Sequence, residues 1–293
     1  MLADANTLIE WTILPGTTAE LGESPVWDEQ RQCVWWVDID GRKLLRTSYP
    51  AMATEEWPMP ERPGFVVLTD ANLPAVGMET GIFLFDPSEK ILDRITQLDE
   101  PGMRFNDATV DDFGRLWAGT MDMELKAGRG VLSAIGANCR PEIALEGLQI
   151  PNGLAFDGGR KRLYLSDSGN DIRTVWTFQV EPESHQLHNR EVFAVFGDED
   201  GKPDGAAIDE SGNYWSAAIL GGALRVFSPD GERIMACPMP FADPTKPAFA
   251  GGSLDRIFVT SRRGEKPGGN IAVSAGGASL PRGRPAQRWR IEG

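Results

Sequence analysis

The sequence predicts an all-β chain of six repeated four-stranded units arranged as a ring around a central channel, a six-bladed β-propeller. Three observations lead there. A seven-residue phrase, Pro151-Asn152-Gly153-Leu154-Ala155-Phe156-Asp157, returns as Pro203-Asp204-Gly205-Ala206-Ala207-Ile208-Asp209, and more loosely as Phe105-Asn106-Asp107-Ala108-Thr109-Val110-Asp111 and Gly22-Glu23-Ser24-Pro25-Val26-Trp27-Asp28. Glycine (33) and proline (21) are spread along the whole chain and not pooled in a linker, as many short strands joined by turns require. No stretch carries a sustained helical period.

Each copy holds a carboxylate or amide at its second place, an apolar residue at its sixth and Asp at its seventh. A turn and an aromatic strand follow: Val34-Trp35-Trp36, Leu116-Trp117, Leu163-Tyr164-Leu165 and Tyr214-Trp215. The second places, Glu23, Asn106, Asn152 and Asp204, are separated by 83, 46 and 52 residues. The long first interval leaves room for a degenerate copy, Gly64-Phe65-Val66-Val67-Leu68-Thr69-Asp70 with Ala75-Val76-Gly77-Met78. A last copy falls at Pro244–Phe249, continuing to Arg256-Ile257-Phe258-Val259-Thr260. Six units of roughly forty to fifty residues match the period of four-stranded propeller blades. The strand-like ends, Leu8–Leu14 and Gln287–Ile291, are predicted to share one blade and close the ring, removing its open edges. Residues 262–286 are Gly/Pro-rich and suit a shortened last blade. The expectation is one domain over residues 1–293, atypical from about 244 onward.

Composition narrows the function. A chain of 293 residues, 41% hydrophobic, has ample core. The net charge of -14 argues against a nucleic-acid partner and suits an enzyme that concentrates a cation. No apolar run approaches a membrane span and Met1–Asn6 has no leader-like pattern, so no membrane association is expected. Cys33, Cys139 and Cys237 are odd in number and far apart, as reduced thiols in a cytoplasm would be.

In a propeller, equivalent places on successive blades circle one axis. Glu23, Asn152 and Asp204 would then bring two carboxylates and an amide carbonyl to one mouth, where they repel unless a cation sits between them. All-oxygen ligation favours Ca²⁺, Mg²⁺ or Mn²⁺, and three protein ligands leave positions open for water and substrate. Singly, Asn-Gly and Asp-Gly are common turn formers. Four matched places are what favour the ligand reading. Arg104, two residues before Asn106, either holds a polyhydroxylated or carbonyl substrate at the same mouth or makes a surface ion pair. Glu124, just past a predicted inner strand, could reach that mouth or lie in a solvated loop; Asp107, Asp111 and Asp112 read as turn and loop acids.

Five segments in order, Gly22-Glu23-Ser24-Pro25, Arg104-Phe105-Asn106-Asp107, Gly119-Thr120-Met121, Pro151-Asn152-Gly153-Leu154-Ala155 and Lys202-Pro203-Asp204-Gly205, resemble the senescence-marker-protein/gluconolactonase/luciferin-regenerating-enzyme-like family. The resemblance spans about Leu21 to Thr260. It implies a six-bladed propeller that hydrolyses sugar lactones with one divalent cation (Ca²⁺, Zn²⁺, Mg²⁺ or Mn²⁺). It also implies Glu23, Asn152 and Asp204 as metal ligands and Arg104, Asn106 and Glu124 as substrate contacts. At such a site a cation-bound water is the expected nucleophile, with Asp204 the best-placed general base while also a ligand. The family's longer, glycine-aromatic final blade is not matched beyond Ser261. Alternatives at the same cation are hydrolysis of other esters or phosphotriesters, or a non-catalytic calcium-responsive interaction propeller.

Other motifs fail on spacing. Asp198-Glu199-Asp200-Gly201 starts like an EF-hand loop, but the sixth place is Pro203 and the twelfth Asp209. His185 and His188 lack a third ligand nearby for a zinc site, and no other histidine is available for a Ser-His-Asp triad. A Walker phosphate loop is absent.

Overall fold

The computed structural model describes residues 9–182, 184–264, 267–277 and 280–292. Met1–Asn6, read above for a leader, lies outside them. Each blade is a four-stranded antiparallel sheet, and in the first five the strands step outward in chain order. The innermost strands are Gly22–Asp28, Phe65–Leu68, Met103–Val110, Pro151–Asp157, Lys202–Ile208 and Pro244–Ala250. Each packs on the next, and the sixth packs back on the first, so the six blades close a ring. Among the described residues the only helix is the short 3-10 turn Asp198–Asp200, and no helix is long and apolar enough to cross a membrane.

Burial explains the repeat. Innermost strands such as Pro151–Asp157 are buried at every position, whereas the outermost strand Pro141–Leu148 is largely exposed. Trp35, Trp36, Trp117, Tyr164 and Trp215, the aromatics after each turn, are fully buried in the clusters between blades. Each such side chain contributes on the order of 2–3 kcal/mol of transfer free energy.

The seventh-place Asp is a folding residue. Asp209 accepts from the Ser211 and Asn213 backbone N–H groups (both 2.9 Å) and from Trp215 Nε1 (3.0 Å), tying the turn to the next strand. Asp111 does the same with Phe113, Arg115 and Trp117. The repeat thus combines a turn clamp at one end of such inner strands with variable chemistry at the other.

Ring closure differs from the sequence expectation at one terminus. Trp11–Ile13 completes blade 6 by pairing with the three-residue strand Ala272–Ser274. Gln287–Ile291 does not join that blade. It runs across the far end of the channel, where Trp289 bridges Thr69, Arg290 N–H donates to Gly114 O (3.0 Å), and Arg288 pairs with Asp28 (2.9 Å). Trp289 is wholly buried against blades 2 and 3. One short pairing strand satisfies blade 6, so the tail's apolar residues find the channel end instead.

Candidate metal centre and substrate cavity

The inner strands of blades 1, 3, 4, 5 and 6 slip register at equivalent points: Glu23/Val26, Phe105/Ala108, Asn152/Ala155, Pro203/Ala206 and Pro244/Pro247. Blade 2, with no polar residue at the matched place, pairs regularly. A bulge re-aims the side chains beside it, and these bulges lie at the channel mouth opposite the C-terminal tail. Pro-Asn-Gly and Pro-Asp-Gly therefore lie within strands and are not turns. Gly205 is there for space, since a Cβ would sit 2.4 Å from Lys246 Cβ. Gly153 adopts φ +59° and faces the Tyr214 hydroxyl at 2.3 Å from a Cβ position.

Glu23, Asn152, Asp204, Arg104 and Asn106 line one cavity of about 440 Å³ at this mouth. None is more than 9% exposed, so bulk water screens them little. Burial first, then Asp107, pushes the Glu23 carboxyl up to about 7. Asp204 is raised well above the usual carboxylate range by burial and then by Glu23. The hydrogen bonds orient the amides. Ser168 Oγ donates to Pro203 O (2.5 Å), so it must accept from Asn152 Nδ2 (3.0 Å), which turns Asn152 Oδ1 to the other side. Asn106 Nδ2 donates to that oxygen (3.2 Å) and to Pro151 O (3.0 Å), while Asn106 Oδ1 accepts from Arg104 Nη1 (2.7 Å). Arg104 has no carboxylate partner among the described residues, and burial lowers its pKa to about 10.

This donor set fits a hard divalent cation. Two buried carboxylates whose ionisation is disfavoured by desolvation and mutual repulsion lack only a positive charge between them, and Asn152 Oδ1 retains a lone pair. Among the described residues no three His, Cys, Asp or Glu side chains gather as a metal site, because the third oxygen here belongs to an amide.

Glu124 stands apart from the other predicted site residues. It is absent from the cavity lining, its side chain is 75% exposed, and it pairs with Lys126 (2.6 Å). The turn after Asp122, whose carboxylate accepts Glu124 N–H (2.7 Å), sends Met123 and Leu125 into the cavity in its place. Asp107, read as a turn acid, is also re-placed. It is buried in the channel, accepts Leu154 N–H (2.8 Å) and forms an ion pair with Lys246 of the opposite blade. Sequence reasoning missed Lys246, although the third places of the repeat (Ser24, Asp107, Gly153, Gly205, Lys246) put opposite charges three blades apart. It also missed the cations at the rim, Arg62, Lys202 and Arg262. Burial, with Arg173 and Arg262 nearby, pushes the Lys202 ammonium down. Cys33 and Cys237 are buried packing residues, and burial pushes their thiols up to about 12.

Fold and cavity together define a six-bladed propeller with a buried, oxygen-lined pocket at one channel mouth. The chain belongs to the SMP-30/Gluconolactonase/LRE-like family, whose description matches residues 21–263. It is 32% identical over 255 residues to a 6-deoxy-6-sulfogluconolactonase of Pseudomonas putida, covering 86% of this chain and 87% of that one. A pentonolactonase of Haloferax volcanii, XacC, is 31% identical over 256 residues (86% and 85% covered). A calcium-binding regucalcin from Agrobacterium tumefaciens shares the fold, with a TM-score of 0.90 at 23% identity over 97% of this chain and 98% of that one.

Proposed function

We propose that the chain hydrolyses the cyclic ester of a sugar acid to the open-chain acid, with one divalent cation held by Glu23, Asn152 and Asp204. The observation that supports this most directly is that these three side chains, from three blades, line one cavity together with a buried guanidinium that has no carboxylate partner among the described residues. Relatives at about a third identity named for gluconolactone and pentonolactone substrates point to the same chemistry.

When bound, the cation supplies Lewis acidity toward the lactone carbonyl. The remaining work falls to the chain's own groups. Asp204 takes the proton from the attacking water. Among the described residues Arg104 spends only Nη1 on the protein, on Phe105 O (2.9 Å) and Asn106 Oδ1, leaving Nε and Nη2 to donate to ring oxygens and hydroxyls. Asn106 commits both amide protons internally, so it offers substrate only the second lone pair of Oδ1. Its main task is to orient Arg104 against Asn152. Met121, Ile150, Ile219 and Leu220 provide apolar walls.

The test is proton release from glucono- and pentonolactones by chelated protein reloaded with each divalent cation in turn, beside aryl esters and phosphotriesters. Cation-dependent turnover that favours the lactones, and is lost in Asp204→Ala, is expected. Faster turnover of the non-sugar esters, or full activity in Asp204→Ala, overturns the assignment.

A further inference from the structure

We infer that the lactone taken by this chain carries a second, anionic group (a carboxylate, sulfonate or phosphate) seated on Lys202 with Arg262 beside it. This rests on the hydrolase reading above and specifies its substrate class. The chain as a whole is strongly acidic, at -14, yet its cavity mouth is not. Glu23 and Asp204 together balance one divalent cation. Of the four cationic side chains in the lining, Arg62 lies 3.5 Å from Asp40 and Arg262 lies 2.9 Å from Asp243. Arg104 and Lys202 remain without a carboxylate among the described residues.

The two differ in what they can serve. Arg104 is locked beside Asn106 at the cation and faces the reacting ring. Lys202 opens the inner strand of blade 5, and its one side-chain partner among the described residues is the neutral Asn170 oxygen, leaving ammonium donors unspent. Arg262 follows the second strand of blade 6, so the two cations flank the same side of the mouth. Asp204, the carboxylate two residues away, is committed to the cation, so the Lys202 ammonium keeps donors that a neutral hydroxymethyl group engages only weakly and an anionic oxygen engages through charge-assisted hydrogen bonds.

The experiment compares kcat/KM for glucono-1,5-lactone with counterparts whose terminal hydroxymethyl is replaced by carboxylate, sulfonomethyl or phosphomethyl groups, on the cation-loaded full chain. The anionic lactones are expected to be favoured about tenfold or more, through KM, in line with a hydrogen bond to a charged group. That ratio should shrink with added salt, collapse toward one in Lys202→Met and persist in Lys202→Arg. The relative rates of the three anions identify which is taken. A wild-type ratio of one or less, with the neutral lactone turned over, overturns the inference and leaves the hydrolase reading intact. If no lactone is hydrolysed, the hydrolase reading falls, and calorimetry with gluconate and its 6-sulfo analogue decides the site. Tighter binding of the doubly charged acid, lost in Lys202→Met, supports the site, and equal binding overturns it.

Discussion

Asp107 and Lys246 meet across the channel below the candidate ligands, and their pairing shows how single residues set the charge balance there. Both are buried, so removing one partner leaves an uncompensated charge. Lys246→Met should cost about 3–5 kcal/mol in denaturant unfolding, with part recovered by adding Asp107→Asn. Equal stability of Lys246→Met and wild type would show the pair to be unimportant. The Glu23 and Asp204 carboxylates behave differently because they repel each other. Asp204→Asn removes one like charge, so the cation-free protein should melt higher than wild type. The cation-induced rise in Tm should vanish, with an affinity loss beyond the ~10–100-fold expected for an outer-shell partner. A lower cation-free Tm would contradict the repulsion argument. The pH response has a definite sign. Glu23 moves from 4.5 up to about 7 by burial and then Asp107, against the pull of Lys246 and Arg104, and Asp204 moves the same way. Between those values the folded cation-free chain binds more protons than the unfolded one, so its stability falls as pH rises through that window. Cation loading should offset this increasingly toward neutral pH, because binding releases protons. Thermal melts from pH 5 to 8, with and without cation, check it; a cation-free Tm that rises across the window refutes it.

At the scale of the strand, the bulge decides where chemistry can sit. Five of six inner strands slip at the same place, and the residue there is Glu23, Asn106, Asn152, Asp204 or, in blade 6, Thr245. Thr245 is spent on the ring seam, donating to Gly22 O at 2.5 Å. Gly205 shows how tightly these strands pack. Gly205→Ala should displace the Lys246 stem and cost about 1–3 kcal/mol as overpacking. Gly252→Ala, with nothing within 4 Å, should be close to neutral. Similar denaturation midpoints for the two would argue that the channel yields easily. The strands and their turn clamps were legible from the repeated phrase, because a recurring Asp and the aromatic strand that follows its turn leave a linear trace. The bulges were not. A register slip is a relation between two strands, and nothing in one strand announces it.

Across the whole molecule the two ends of the channel have separate tasks. All inner strands run the same way, with marker residues at their starts and the tail lying over their ends. Arg284, Pro285, Ala286 and Gln287 line a second cavity there. Trp289→Ala should therefore cost about 3–5 kcal/mol of stability, as loss of a buried Trp does. Activity per folded molecule should stay the same, because the tail is remote from the candidate site. A changed KM at temperatures where the variant is fully folded would show that the two ends are coupled.

The sequence by itself determined the number of blades, the inner strands, and the grouping of Glu23, Asn152 and Asp204 with Arg104 and Asn106. It could do so because a ring of repeats turns matched positions into neighbours. Only the tertiary structure decided the rest. It sent Glu124 into solvent on the turn held by Asp122, laid the C-terminal tail across the far mouth, joined Asp107 to Lys246 and gave Lys202 a neutral amide oxygen as its hydrogen-bond partner. Those outcomes depend on which blades face each other and where the chain leaves the ring. They are set by packing and charge balance between segments far apart in the chain, which no local pattern carries.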